Sequence, residues 1–116
     1  MAATPIDVEA IPSGLGCAEC LPDPSAWWFH LRRCAECGHI GCCDTSPSQH
    51  GTAHAKSSGH PFITSFEPGE DWFWSFAADD FYDGPTLADP QSHPADQPVP
   101  GPRGGVPRDW QNHLHR

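Results

Sequence analysis

The sequence predicts an α+β fold: a small zinc-stabilised domain with a twisted antiparallel β-sheet and one main helix, followed by a disordered Pro-rich C-terminal tail. Three observations predict it. All six cysteines and five of the eight histidines fall between Cys17 and His60. Short aromatic runs bounded by turn residues flank a single helical stretch. Only 37% of the residues are hydrophobic, below the roughly 45–50% of ordinary globular chains, so the core is small and needs a staple. A structural metal supplies one, because its binding free energy is also folding free energy.

Residues 1–13 form a polar, Pro-punctuated N-terminal arm with Ile6, Val8 and Ile11 as its anchors. The domain proper spans 14–83. It opens with Cys17-Ala-Glu-Cys20, a knuckle in which two intervening residues let both sulfurs turn toward one metal ion. The loop around Pro22 and Pro24 follows, since each proline biases its predecessor away from helix. Trp27 to Arg33 alternates as a strand, with Trp28, His30 and Arg32 on one face. Cys34-Ala-Glu-Cys37 is a second knuckle, and Gly38 to Cys42 returns as a short strand, making the knuckle a hairpin tip. Ser46-Pro47 starts the helix, expected over 47–57, with Gly59 suited to its left-handed end. His50 and His54, four apart, share one helix face, and His60 lies just beyond. Phe62–Phe66 is a strand, Glu67–Glu70 a turn, and Trp72–Phe76 the returning strand, with Trp72, Trp74 and Phe76 on one face. Residues 84–116 form the tail, which carries too little apolar surface to fold alone; Trp110 and Leu114 are its anchors for docking on the domain or on a partner.

Five cysteines and three histidines make eight ligands, enough for two closed tetrahedral zinc sites. The residues alone leave the wiring open. Cys17, Cys20, Cys34 and Cys37 can hold one ion, leaving Cys42, Cys43 and the histidines for the other, or the two sets can interleave. Cys43 is expected to be a small buried residue or a free thiol, with its taking the place of Cys42 as ligand the alternative, and His30 and His39 to pack or hydrogen-bond beside the sites.

The ordered set Cys17-x2-Cys20, Trp28-Phe-His-Leu31, Cys34-x2-Cys37-Gly-x3-Cys42, His50-x3-His54-x5-His60-Pro61 and the aromatic hairpin after it resembles the UBP-type zinc finger, over residues 14–83. The resemblance implies interleaved wiring: Cys17, Cys20, Cys42 and His50 for one zinc, Cys34, Cys37, His54 and His60 for the other. It also implies a non-enzymatic module that takes a protein C-terminus, ubiquitin's Gly-Gly in the family, in a pocket whose positions correspond to Trp28, Asp44, Trp74, Phe76 and Asp79. At the second of these the ubiquitin binders have Arg, which receives the terminal carboxylate. Here Asp44 stands there, and a carboxylate repels a carboxylate, which argues against ubiquitin as the ligand.

Composition excludes further classes. The formal charge is −9, and no cluster of Lys or Arg exists to release counterions from nucleic acid or to meet an acidic membrane. The N-terminus has neither a basic region nor an apolar run, so no signal peptide is expected, and a cytoplasmic, thiol-reducing setting suits the free cysteines. Five Arg to one Lys, with abundant Ala, Gly, Pro and Asp, is the bias of a GC-rich, bacterial type of genome. His50-Gly-Thr-Ala-His54 lacks the Glu of the zinc-hydrolase helix motif, and eight ligands close both sites, so catalysis is not expected. Two classes remain: a monomeric module recognising a peptide or protein, by way of a chain end, and a purely structural or regulatory zinc protein acting through its acidic surface or its tail.

Overall fold

The computed structural model describes residues 6–14, 16–23, 25–67, 70, 72–87, 99–102 and 104–114. Five strands, β1 (Leu31–Cys34), β2 (Ile40–Cys42), β3 (Phe62–Ser65), β4 (Phe73–Ser75) and β5 (Asp80–Tyr82), form one antiparallel sheet in the order β2-β1-β3-β4-β5. One helix, α1 (His50–Ser58), crosses the β1–β2 side. A short 3₁₀ turn, Trp110–His113, lies in the tail.

Register sorts the side chains into two faces. Arg32 pairs with Gly41 and Ser65, Cys34 with Ile63, Ile63 with Trp74, and Trp74 with Phe81. Directly opposite residues share a face, so Arg32, Ile63, Trp74 and Phe81 stand on the face that α1 crosses. The other face carries Phe73, which builds a small core with Ala35 and Leu87, against which Ile6, Phe62 and Tyr82 pack. The larger core gathers Trp28, Leu31, Ile40 and Phe66 around Cys17, Cys20 and Cys42.

The helix begins at His50, three residues later than Pro47, because Gln49 adopts φ 52°. A left-handed residue cannot continue a right-handed helix, and the turn it makes re-aims the chain so that the His50 amide donates to the Cys42 sulfur at 3.2 Å. Gly59, also left-handed at φ 76°, ends the helix and donates its amide to the Ala55 carbonyl. The buried face of α1 is small, Gly51 and Ala55, which lets the helix lie almost backbone to backbone on β2. A Cβ placed on Gly41 would meet the Gly51 amide nitrogen at 2.6 Å.

Strand β1 starts at Leu31 and not at Trp27, because the backbone of Trp28 is taken by the tail. Trp28 and Gly101 exchange both hydrogen bonds, at 2.7 and 2.9 Å. Phe29 in turn meets the Trp110 ring at 5.4 Å. The N-terminal arm is tied down as well: the Asp7 amide donates to Ala35, Ser13 to Gly38, and the fully buried Arg33 donates to the Ala10 carbonyl. Strand β5 was not expected from the sequence; Asp79, at φ 54°, makes the reversal that pairs it with β4. The tips of the turn expected over 67–70, residues 68 and 69, and the tail residues 88–98, 103, 115 and 116 lie outside the described residues. Among the described residues no helix is long and apolar enough to cross a membrane.

Because nothing but hydrogen fits between Gly41 and the first turn of α1, Gly41→Ala is expected to push the helix off β2. Overpacking of this kind costs about 1–3 kcal/mol. Chemical denaturation should show a lowered midpoint with an unchanged slope, and an unchanged midpoint would contradict the close approach.

Candidate metal centres and the adjoining cavity

The eight ligand atoms gather into two groups, Cys17, Cys20, Cys42 and His50, and Cys34, Cys37, His54 and His60, the atoms of each lying within 4.8 Å of one another. In the first, His50 Nδ1 is 3.2, 3.3 and 3.6 Å from the sulfurs of Cys17, Cys20 and Cys42. In the second, Cys34 Sγ is 3.6 Å from His60 Nδ1 and Cys37 Sγ is 3.3 Å from His54 Nε2. A tetrahedral zinc with ordinary bonds separates its sulfur and nitrogen ligands by about 3.5 Å. Both sets therefore have the spacing and donor chemistry of closed zinc sites. All six cysteines are free of disulfides.

Electrostatics favour the ion. In the first set, hydrogen bonds from Cys20 and Cys42 hold the Cys17 thiol well below its ordinary pKa, while the Cys17 thiolate pushes Cys20 and Cys42 up. Three sulfurs crowded together resist ionising all at once, a cost that a cation among them relieves. In the second set burial pushes Cys34 up to about 11. Burial, then the neighbouring His39 and His60, keep His54 below the usual imidazole range, so its lone pair is available to metal.

The two sites differ in access. Cys17, Cys20 and Cys42 are each fully buried, whereas Cys37 is exposed and His54 and His60 are half-buried. His39 stacks on His54 at 4.0 Å and is anchored by the Glu19 carboxylate at 2.7 Å. His30 bonds the buried carboxylate of Glu67. Cys43, 4% exposed, points its sulfur at the Ser46 hydroxyl and not at either site.

Since α1 covers only the β1–β2 side, the open half of the same face forms a cavity of about 550 Å³ beside the first site. Asp44, Trp74, Phe76 and Asp79 all line it. The fifth residue matched to the family pocket, Trp28, does not: its ring is wedged between Gly16 and Gly101, where added Cβ atoms would approach within 2.7 and 3.0 Å, and it is 2% exposed. It is a core residue. Three lining residues that the sequence analysis did not single out as site residues are Arg32, Trp72 and Phe81. The alternation that groups Trp72 with Trp74 and Phe76 was readable, but the register that brings Arg32 to the same face and β5, which brings Phe81, were not. Asp44 accepts a hydrogen bond from the Thr52 hydroxyl of α1.

Two closed Cys/His sets tying an antiparallel sheet to one helix define a structural zinc finger. The chain belongs to the family of zinc fingers in ubiquitin-hydrolases and other proteins, whose model matches residues 17–87. It is similar to protein RPA1320 from Rhodopseudomonas palustris, known from a solution NMR structure, at 41% identity and a TM-score of 0.63, the match covering 86% of this chain and 95% of that one. No curated protein matches the chain.

Two predictions test the centres. Cys42→Ser should leave one zinc per chain by elemental analysis and Cys43→Ser two; loss of metal from the Cys43 variant alone would reverse the assignment. Chelator should remove zinc in two phases, the faster from the exposed second set, and full removal should abolish the near-ultraviolet circular dichroism. A fast phase that persists in Cys37→Ser would assign it to the other set.

Proposed function

We propose that this chain is a monomeric, non-enzymatic, cytoplasmic recognition module in which zinc holds the fold and the cavity takes a peptide or protein chain end. The open cavity beside closed metal sites carries this reading. Zinc with four protein ligands has no position left for substrate, so chemistry at the metal is disfavoured, while an apolar cavity with a few convergent polar groups is the usual form of a binding site. Trp72, Trp74, Phe76 and Phe81 supply the apolar wall, Asp44, Asp79 and Arg32 the polar groups. The family supports a protein ligand. The free Gly-Gly tail of ubiquitin is a poor one for this chain, because Asp44 opposes an anionic end and such a tail brings no cation to satisfy it.

Calorimetry with intact ubiquitin, and with ubiquitin lacking its last two glycines, tests this. Wild-type protein should bind neither measurably. Asp44→Arg should gain tail-dependent binding, by at least about fivefold, since even exposed charge contacts are worth up to about 1 kcal/mol and the substitution both removes one and adds one. Micromolar, tail-dependent binding by the wild type would sink the role given to Asp44. If neither ubiquitin nor any peptide end binds the zinc-loaded chain, the structural or regulatory reading takes its place.

A further inference from the structure

Arg32 is the one basic side chain among the described residues that line the cavity. It stands in β1 on the face that α1 leaves half open, its stem against the first turn of the helix, where a Cβ on Gly51 would meet the Arg32 Cβ at 3.5 Å. Its guanidinium carbon lies 4.8 Å from the centre of the Trp72 ring. Its one protein hydrogen bond among the described residues runs from Nη1 to the Leu31 carbonyl at 3.0 Å, and no carboxylate among them pairs with it. A guanidinium has five N–H donors in a fixed fork. Stacking on Trp72 and contact with the helix hold that fork in place, so little side-chain freedom is left to lose when a ligand arrives.

On the reading of the cavity as a site for a chain end, we propose that Arg32 receives the terminal carboxylate of a peptide whose last residue is Lys or Arg, and that Asp44 and Asp79 receive its side-chain cation. The charges select this occupant. Two carboxylates against one guanidinium leave the cavity one unit negative, so a doubly charged phosphate is repelled and a bare carboxylate satisfies only Arg32. A C-terminal Lys or Arg brings both signs. Its carboxylate matches the guanidinium fork by two parallel hydrogen bonds. Its stem lies along the aromatic wall of Trp74 and Phe81, which stand 4.9 Å apart edge to face, and its cation gains from the ring faces as well as from the carboxylates. The cavity, about 550 Å³, is within the range of roughly 300–1,000 Å³ that ligand sites occupy.

The test is calorimetry of the zinc-loaded full chain with three peptides: acetyl-Ser-Gly-Gly-Lys as the free acid, the same peptide as its C-terminal amide, and acetyl-Ser-Gly-Gly-Gly as the free acid. The Lys acid should bind at least about tenfold more tightly than either of the others. Arg32→Gln, shown to keep two zinc ions, should lose the preference for acid over amide. Asp44→Asn combined with Asp79→Asn should keep that preference and lose the one for Lys over Gly. Equal binding of acid and amide by the wild type overturns the role of Arg32 without the need of any variant, and equal binding of the Lys and Gly acids overturns that of the two aspartates; in both cases the cavity remains a peptide site. Absence of binding by all three peptides overturns this inference and the function it rests on together.

Discussion

Helix α1 lends one imidazole to each four-ligand set, His50 to the first and His54 to the second, and the strands and knuckles provide the rest. Each zinc is therefore a cross-link between segments far apart in the chain. The first joins the N-terminal knuckle, the end of β2 and the start of α1; the second joins the tip of the β1–β2 hairpin, the middle of α1 and the segment leading into β3. With so few aliphatic residues, burial alone would hardly offset the ordering of these segments. The metal closes the loops, and the apolar clusters then form around ligands already in place, Cys17, Cys20 and Cys42 being members of the larger core themselves.

The cavity follows from the same constraint. Two histidines one turn apart must face the sites on the β1–β2 side, so the helix is held there and cannot spread over β3, β4 and β5. Gly41 and Gly51 bring it closer still, and the uncovered half of the face is left to large aromatic side chains and one arginine. Those groups form a shallow site in place of a core. A left-handed Asp79 completes the rim by turning β5 back onto β4, a conformation that Asp tolerates better than most residues.

The described stretches of the two chain ends pack against the domain. The arm lies along the second knuckle through Asp7 and Ser13, and the tail inserts the Gly101 backbone beside Trp28, with Leu87 filling the second core and Trp110 covering Phe29. The tail thus occupies the indole that would otherwise have been free to line a pocket. The aromatic group that stays open is the one lining the cavity beside the first metal set.

Fold class, the eight ligand side chains and the identity of the metal were legible in the chain because thiolate and imidazole ligation is local chemistry with local spacing: two residues between the cysteines of a knuckle, one turn between the helical histidines. The period of two likewise put Trp72, Trp74 and Phe76 on one face. The wiring was not legible from spacing, since sequential and interleaved sets use the same residues, and it is the folded positions of β2 and α1 that bring Cys42 and His50 to the first knuckle. Nor was the burial of Trp28, which depends on a glycine more than seventy residues away, nor the presence of Arg32 in the cavity, which depends on how much of the sheet the helix leaves uncovered. Sequence determined what each segment can bind; only the tertiary structure decided which segments meet, because contacts between distant parts of the chain are set by the metal cross-links and not by any local pattern.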